Sequence, residues 1–455
     1  MANIPANIFR EYDIRGLVGK DLNERTVELI GKGVGTFLSR RGIAGISLGR
    51  DVRLSSTGYR DAILKGLVRT GMRVTDLGVV TTPMLYFSLF ALDVGGGVMI
   101  TGSHNPPDYN GFKIAEGKST IYGEKIREVR AIIESGDFAR GDGFVEEASV
   151  AEEYCRALVE RTSMGPRKVR VVVDAGNGTT GPTSSRILRD LGVEVTCLYC
   201  EPDGRFPNHH PDPTLPDAVR DLRAKTLEMK ADAGIGFDGD GDRIGVIDEK
   251  GDIIWTDMLL ILYARDLLKR RPGSRVIFDV KCSHLCAAEI EKAGGVPIMW
   301  KTGHSLIKQK MREENAPLAG EMSGHVCFAD GYFGYDDATF AACRLVQILS
   351  RADRPLSELL ADIPKTCATP EIRIDCPDEK KFEIVEGLKR YFSARYDTLD
   401  IDGVRVIFGD GWGLIRPSNT QPVIVMRFEA ETPARLEEIK GLVAGKLREY
   451  LPVGI

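Results

Sequence analysis

The chain has 455 residues, and 61 Lys and Arg against 66 Asp and Glu give a formal net charge of −5. That balance excludes a strongly basic nucleic-acid binder, and 43% hydrophobic with 28% charged residues excludes long disorder. At roughly 150 residues per domain the length predicts about three domains, within a range of two to four, and no apolar run approaches the ~18 residues that would suggest a membrane span.

At the N-terminus, Arg10, Glu11 and Asp13 interrupt the stretch where a signal peptide would be apolar. Residues 46–51, 171–174 and 276–279 then read as short apolar strands, each closing on an aspartate: Asp51, Asp174 and Asp279. Each is followed by a helical stretch and by a second strand led by Gly71, Gly192 or Gly295. The gap from aspartate to glycine, about 16 to 20 residues, accommodates one crossover helix between parallel strands. The unit recurs every ~105 to 125 residues, a spacing of domains rather than of a solenoid. Three related mixed α/β domains are therefore predicted over 1–150, 151–253 and 254–367.

The C-terminal part reads differently. Strands are predicted at 371–374, 404–408, 412–415 and 423–426, with a helix from about 379 to 391 after the first. A last helix opens on Thr432 as N-cap with Pro433 at its first position. Leu436, Ile439, Val443, Leu447 and Tyr450 form its apolar stripe. Residues 368–455 thus make a smaller α+β unit.

Four stretches carry chemistry. Strand 98–100 empties into Thr101-Gly102-Ser103-His104-Asn105-Pro106. A serine on a Gly-flanked loop at a strand end should be exposed, as a phosphoryl acceptor must be. Taken alone, the same residues suit a turn in which Ser and Asn bond their own backbone. The second stretch alternates Asp238, Asp240 and Asp242 with glycines, so three carboxylates should project to one side of an extended loop. They repel unless a cation binds, and hard oxygens suit Mg²⁺ or Ca²⁺. An EF-hand does not fit, because Arg243 takes the position that needs glycine and the flanks read as strands.

The third stretch, Gly320 to His325, offers the Glu321 carboxylate, the Ser323 hydroxyl and the His325 imidazole, as a sugar diol needs. The fourth places Arg416 beside Ser418, Asn419 and Thr420 between two strands, a plausible phosphate cradle and equally a polar turn. Lys281 follows a strand end, where α/β folds place ligands. Other pairings read as core or loop residues: Cys197 with Cys200, the Cys282-x-His284-x-Cys286 group, and His209-His210. Nine scattered cysteines, odd in number, argue against a disulfide framework and predict a reducing, cytoplasmic setting.

In this order and at these separations, the four stretches resemble the α-D-phosphohexomutase superfamily, and within it the phosphomannomutase/phosphoglucomutase branch. The resemblance covers essentially the whole chain. It includes Phe9 to Gly16 at the start, Asn110-Gly111-Phe112-Lys113 after the serine loop, and Lys301-Thr302-Gly303-His304. It implies four domains around a central cleft, each contributing one loop. It further implies a phosphoryl group on Ser103, and one Mg²⁺ per site held by that group with Asp238, Asp240 and Asp242. Arg15, Lys113, His304 and His325 would supply proton transfer and phosphate contacts. Arg10, Tyr12, Arg243, Lys281, Glu321, Ser323, His325, Arg416, Ser418, Asn419 and Thr420 would bind substrate.

The implied activity interconverts hexose 6-phosphate and hexose 1-phosphate, of mannose or glucose, with hexose 1,6-bisphosphate as intermediate and activator. The partners are then small hexose phosphates, with neither nucleic acid nor membrane, and the chain is a monomer or weak dimer. Charge supports this: three aspartates, a dication and a phosphoserine of about −2 leave roughly −3 before substrate arrives. Arg10, Arg15, Lys113, Arg243 and Arg416 all lie in or beside the motifs. Two other readings stay open, a phosphoglucosamine mutase and a non-catalytic sugar-phosphate binder. Met322 speaks against the first, because the amino-sugar enzymes usually place Gln there; retention of Ser103 and all three aspartates speaks against the second.

Overall fold

In the computed structural model, which describes residues 4–451, four sheets organise the chain. The first has seven strands on a path from Ile14–Leu17 through Tyr109–Glu116, Gly96–Ile100, Gly45–Arg50 and Arg73–Val79 to Phe144–Glu147, with Ser119–Thr120 beside Tyr109–Glu116. The last four strands of that path run parallel, and Tyr109–Glu116 is antiparallel to each neighbour. The second sheet orders Ile253–Ile254, Ile244–Asp248, Ala233–Phe237, Arg170–Asp174 and Glu194–Leu198. The third orders Val296–Trp300, Arg275–Asp279, Leu318–Gly320 and Val326–Phe328.

In each of these sheets a helix joins two parallel strands, as the repeat predicts. Ser56–Val68 bridges Gly45–Arg50 and Arg73–Val79, Gly181–Asp190 bridges Arg170–Asp174 and Glu194–Leu198, and Leu285–Lys292 bridges Arg275–Asp279 and Val296–Trp300. Strands such as Arg170–Asp174 read as unbroken apolar runs because helices cover both faces; Val171, Val172 and Val173 are fully buried. The fourth sheet has six strands and is antiparallel throughout, with helices Asp378–Ser393 and Pro433–Leu447 packed on it. The fold is therefore three related α/β units and a C-terminal α+β unit.

The units are not separate beads. One apolar core runs from Leu85 and Phe87 in the first unit through Val171 and Ile235 in the second to Phe278 and Leu345 in the third. Helix Ala338–Arg351 of the third unit is buried along nearly its whole length, because the second unit closes over it: Ser350 Oγ accepts Gly165 N–H at 2.7 Å, and Gln347 Oε1 accepts Ser163 N–H at 3.3 Å.

Local signals held at the last helix, where the Thr432 side chain accepts Arg435 N–H and Ile439, Val443 and Leu447 are buried. Tyr450 departs from the expected stripe. The helix ends at Leu447, and the ring beyond it is 42% exposed. The helix expected over 379–391 spans Asp378–Ser393, and the strand expected over 412–415 spans Gly411–Pro417. No helix among the described residues is long and apolar enough to cross a membrane.

One topological feature positions everything functional. All four chemistry-bearing loops are the same connection in their respective sheets, the turn from one strand into its antiparallel return. They join Gly96–Ile100 to Tyr109–Glu116, Ala233–Phe237 to Ile244–Asp248, Leu318–Gly320 to Val326–Phe328, and Gly411–Pro417 to Val423–Ala430.

Candidate active site

Ser103 has a left-handed backbone, φ 49°, at the tip of the first loop. Its N–H donates to Thr101 Oγ1 at 2.8 Å, and its Oγ donates to Asp238 Oδ2 at 2.8 Å. His104 Nδ1 stands 3.1 Å from the same Oγ. The sequence predicts an exposed serine, and here the structure differs: Ser103 is 2% exposed. The reason is tertiary, since the aspartate loop of the second unit lies over it, so close that a Cβ on Gly239 would meet Ser103 O at 2.5 Å.

The aspartate loop is a compact turn rather than the extended segment expected. Asp238 Oδ1 accepts the N–H groups of Gly241, Asp242 and Arg243 at 3.0 to 3.1 Å, and Gly241 takes φ 81° to make the wrap possible. All three carboxylates are buried. Burial and then the charges of Asp240 and Asp242 push the Asp238 carboxyl well above its usual range. Burial also opposes ionisation of Asp240, but Lys113 and the Thr82 hydroxyl outweigh it and hold that carboxyl below its usual range. Asp240 Oδ1 and Asp242 Oδ1 are buried without a hydrogen-bond partner. One oxygen from each aspartate lies within 4.8 Å of the others. Converging, orphaned carboxylate oxygens are a donor set that fits a hard dication.

Lys113 and Arg243 flank this loop, and Arg15 stands at the serine loop beside it. Lys113 donates to Asp240 Oδ2 at 2.9 Å and also to Asp242 Oδ2. Burial would discharge its ammonium, but the two carboxylates prevail and raise its pKa well above the lysine range. Arg15 reaches Asn105 Oδ1 and Asp13 Oδ2, both at 2.6 Å, leaving its Nε without a partner. Arg243 Nε donates to His325 Nε2 at 3.1 Å, tying the aspartate loop to the third unit.

In the third loop Glu321 Oε2 accepts Gly303 N–H at 3.2 Å and Ser323 Oγ–H at 3.3 Å, while Oε1 is buried and unpartnered. Burial is the main cause that raises the Glu321 pKa. His304 and His325 stack with ring centroids 5.4 Å apart. Burial and then the Lys308 charge push the His304 pKa well below the usual histidine value, which leaves that imidazole neutral near pH 7.

The C-terminal loop closes the ring. Ser418 Oγ accepts the Thr420 and Gln421 N–H groups at 3.3 and 3.1 Å, and Arg416 is buried with its Nε on Asp402 Oδ2 at 2.9 Å. Tyr12 of the first unit donates to Thr302 O at 2.8 Å and accepts from Asn419 Nδ2 at 2.9 Å, linking three units through one hydroxyl. Arg10 lies nearby against Asp378, at 3.5 Å, and Lys281 pairs Glu371 at 3.1 Å. Both are thus engaged by the C-terminal unit.

Two carboxylates of this assembly, the buried Asp336 and the partly buried Asp402, have no signal in the sequence. Asp336 Oδ1 accepts from Lys308 Nζ at 2.7 Å, and its Oδ2 lies 3.0 Å from His325 Nδ1 and 3.6 Å from His304 Nδ1. Asp402 orients Arg416 and also accepts Thr302 N–H at 3.2 Å. Asp336-Asp337 before a helix reads as a cap, and Asp337 is one, accepting Phe340 N–H at 2.9 Å. Only its neighbour turns into the site. Of the residues set aside from the sequence, His209 pairs with Asp174 at 3.1 Å, while Cys282 and Cys286 are buried thiols with His284 largely outside.

Four consecutive family models match the chain. They are phosphoglucomutase/phosphomannomutase α/β/α domain I over residues 6–140, domain II over 152–251, domain III over 255–367, and the C-terminal domain over 371–446. Phosphomannomutase/phosphoglucomutase of Pseudomonas aeruginosa is 46% identical over 448 residues, covering 98% of this chain and 96% of that protein. Phosphoglucomutase of Neisseria gonorrhoeae is 46% identical over 445 residues, covering 97% and 96%. The crystal structure of a phosphoglucomutase/phosphomannomutase family protein from Burkholderia thailandensis superposes with a TM-score of 0.93 at 41% identity, covering 100% of this chain and 99% of that one.

Proposed function

The chain belongs to the phosphoglucomutase/phosphomannomutase family and is a hexose phosphate mutase, an isomerase, and we propose that Ser103 is its phosphoryl carrier and that glucose and mannose phosphates are its substrates. The observation that carries this reading is the meeting of Ser103 Oγ with Asp238 at 2.8 Å beside two orphaned carboxylate oxygens on Asp240 and Asp242. Binding a sugar phosphate needs neither a buried serine nor an acidic nest.

Asp238, Asp240 and Asp242, with the phosphoryl group on Ser103, would hold Mg²⁺. When bound it would neutralise charge on the transferring phosphoryl oxygens. Arg416, Ser418, Asn419 and Thr420 would grip the phosphate remote from the reaction, while Glu321 Oε1 and Ser323 accept sugar hydroxyls. The hydroxyl at C1 or C6 attacks phosphorus, the bond from phosphorus to Ser103 Oγ breaks, and the attacking hydroxyl loses its proton. The resulting 1,6-bisphosphate reorients and returns its other phosphoryl group to Ser103. Added bisphosphate would activate the enzyme by loading an unmodified serine.

Lys113, held charged by two aspartates, serves charge neutralisation, and Arg15 and Arg243 serve phosphate contacts. Proton transfer falls to the paired imidazoles of His304 and His325. A division of the chain near residues 150, 253 and 367 leaves each unit with one of these loops. A reducing compartment such as the cytoplasm suits the nine free cysteines.

Incubation with glucose 1,6-bisphosphate should add one phosphoryl mass to the wild type and none to Ser103→Ala. The variant should also lose at least ~10³-fold in turnover, the scale of a lost covalent nucleophile. Activity of Ser103→Ala within tenfold of wild type would remove the serine from the mechanism.

A further inference from the structure

One side chain from outside the four loops holds the serine loop from behind. Arg53, 2% exposed, donates to four carbonyl oxygens of that loop. Its Nη2 reaches Ser103 O at 2.8 Å and Asn105 O at 2.5 Å, and its Nη1 reaches Pro106 O at 2.5 Å and Tyr109 O at 3.0 Å. Asp51, at the end of the Gly45–Arg50 strand, fastens the arginine in turn. Its Oδ2 lies 3.2 Å from Arg53 Nε and accepts Gly102 N–H at 3.1 Å, and its Oδ1 accepts Arg53 N–H at 3.0 Å. Phe206 of the second unit covers the guanidinium, its ring centroid 5.1 Å away.

The fit leaves no slack. A Cβ on Gly102 would meet Arg53 Nε at 2.4 Å, so the residue before the serine must be glycine for the arginine to stand there. Ser103 itself is left-handed, a conformation that non-glycine residues keep only where their surroundings impose it. Loop carbonyls pointing inward would otherwise be buried without donors, and a planar guanidinium with five N–H groups satisfies four at once.

We propose that Arg53, pinned by Asp51, is the positioning residue for the phosphoryl-carrying serine: by gathering the loop's carbonyls it imposes the left-handed turn that aims Ser103 Oγ at Asp238. The inference rests on the reading of Ser103 as the carrier. The carboxylate that Arg53 pairs with is Asp51 and none of the aspartate loop's, so its loss acts on the geometry of transfer and leaves the sugar and phosphate loops intact. Lysine keeps the charge but cannot span four acceptors in one plane, so it should not rescue.

The test compares Arg53→Lys, Arg53→Met and Gly102→Ala with wild type and Ser103→Ala. The readouts are kcat, affinity for glucose 6-phosphate by calorimetry, and the rate at which glucose 1,6-bisphosphate loads Ser103, by intact mass. Both Arg53 variants should bind glucose 6-phosphate within threefold of wild type. Both should lose about 10²-fold in kcat and in loading rate, the scale of an ångström-sized misplacement. If they fail to fold, Gly102→Ala, which crowds Arg53 from the loop side, carries the same expectation. A folded Arg53→Lys or Arg53→Met with kcat within threefold of wild type would overturn the proposal, as would a parallel loss of affinity and kcat. Activity in Ser103→Ala would instead overturn the carrier itself, so the two failures are distinguishable.

Discussion

Asp336 stands directly behind His325, its Oδ2 3.0 Å from the imidazole Nδ1. Arg243 Nε meets the opposite ring nitrogen at 3.1 Å, so the imidazole is held from both sides. A donor on Nε2 and a carboxylate at Nδ1 together favour the tautomer with its proton on Nδ1 and its lone pair on Nε2.

Asp336→Asn keeps the shape and removes the charge, so His325 loses its tautomer preference and Lys308 is left buried without its counterion. Turnover should fall by about 10 to 100-fold, the scale of losing a carboxylate that orients an imidazole. Stability should fall by about 3 kcal/mol, as when a buried ion pair loses one partner. Steady-state kinetics and urea unfolding check both. Full turnover in a destabilised variant would confine Asp336 to folding.

Asp240→Asn removes one anionic ligand and one of the two charges that hold Lys113. Mg²⁺ affinity and turnover should fall together. Exhaustive chelation should abolish wild-type activity, and Mg²⁺ should restore it. Undiminished activity after chelation would sink the metal assignment.

Glucose and mannose phosphates differ only at C2. If Glu321 Oε1 and Ser323 take the hydroxyls at C3 and C4, the wild type should turn over both sugars with comparable efficiency. Glu321→Ala should damage both by ~10 to 150-fold and release more bisphosphate, because the same contacts serve both orientations. A rate panel on the two 1-phosphates decides; loss confined to one sugar would place Glu321 at C2.

Asp337 should be visible in the pH dependence of stability. Burial raises its pKa from 3.8 to about 6, despite hydrogen bonds from Tyr332, Phe340 N–H and Tyr154. Between those values the folded state holds more protons than the unfolded, so this group's contribution to stability falls as pH rises from about 4 to 6. Asp337→Asn lacks that dependence and should gain about 2 kcal/mol on the wild type between pH 4 and pH 7. Urea midpoints at the two pH values measure it. A difference between variant and wild type that does not change with pH would refute the shifted pKa.

Much of this molecule was legible before folding, because the signals are local. Apolar runs closing on Asp51, Asp174 and Asp279 mark buried parallel strands whatever lies around them. A Gly-spaced trio of aspartates calls for positive charge by its own repulsion, and Lys113 reaches two of the three. Thr432 and Pro433 start a helix by capping chemistry that spans four residues. What the aspartates at the strand ends do was not legible. Asp51 accepts Gly102 N–H in the serine loop, and Asp279 accepts Met322 N–H in the loop that carries Glu321, each fastening a loop far along the chain.

The site itself belongs to tertiary structure. Ser103 is buried, not exposed, because a loop 135 residues away covers it. Tyr12 and Asn419 meet across 407 residues, and Asp336 and Asp402 gain their roles only when His325 and Arg416 are brought beside them. A carboxylate in a turn carries no mark of which cation or imidazole it will face. That pairing is decided by the desolvated interior, where an unpartnered charge is costly and each buried ion must find its counterion among whatever the packed units deliver.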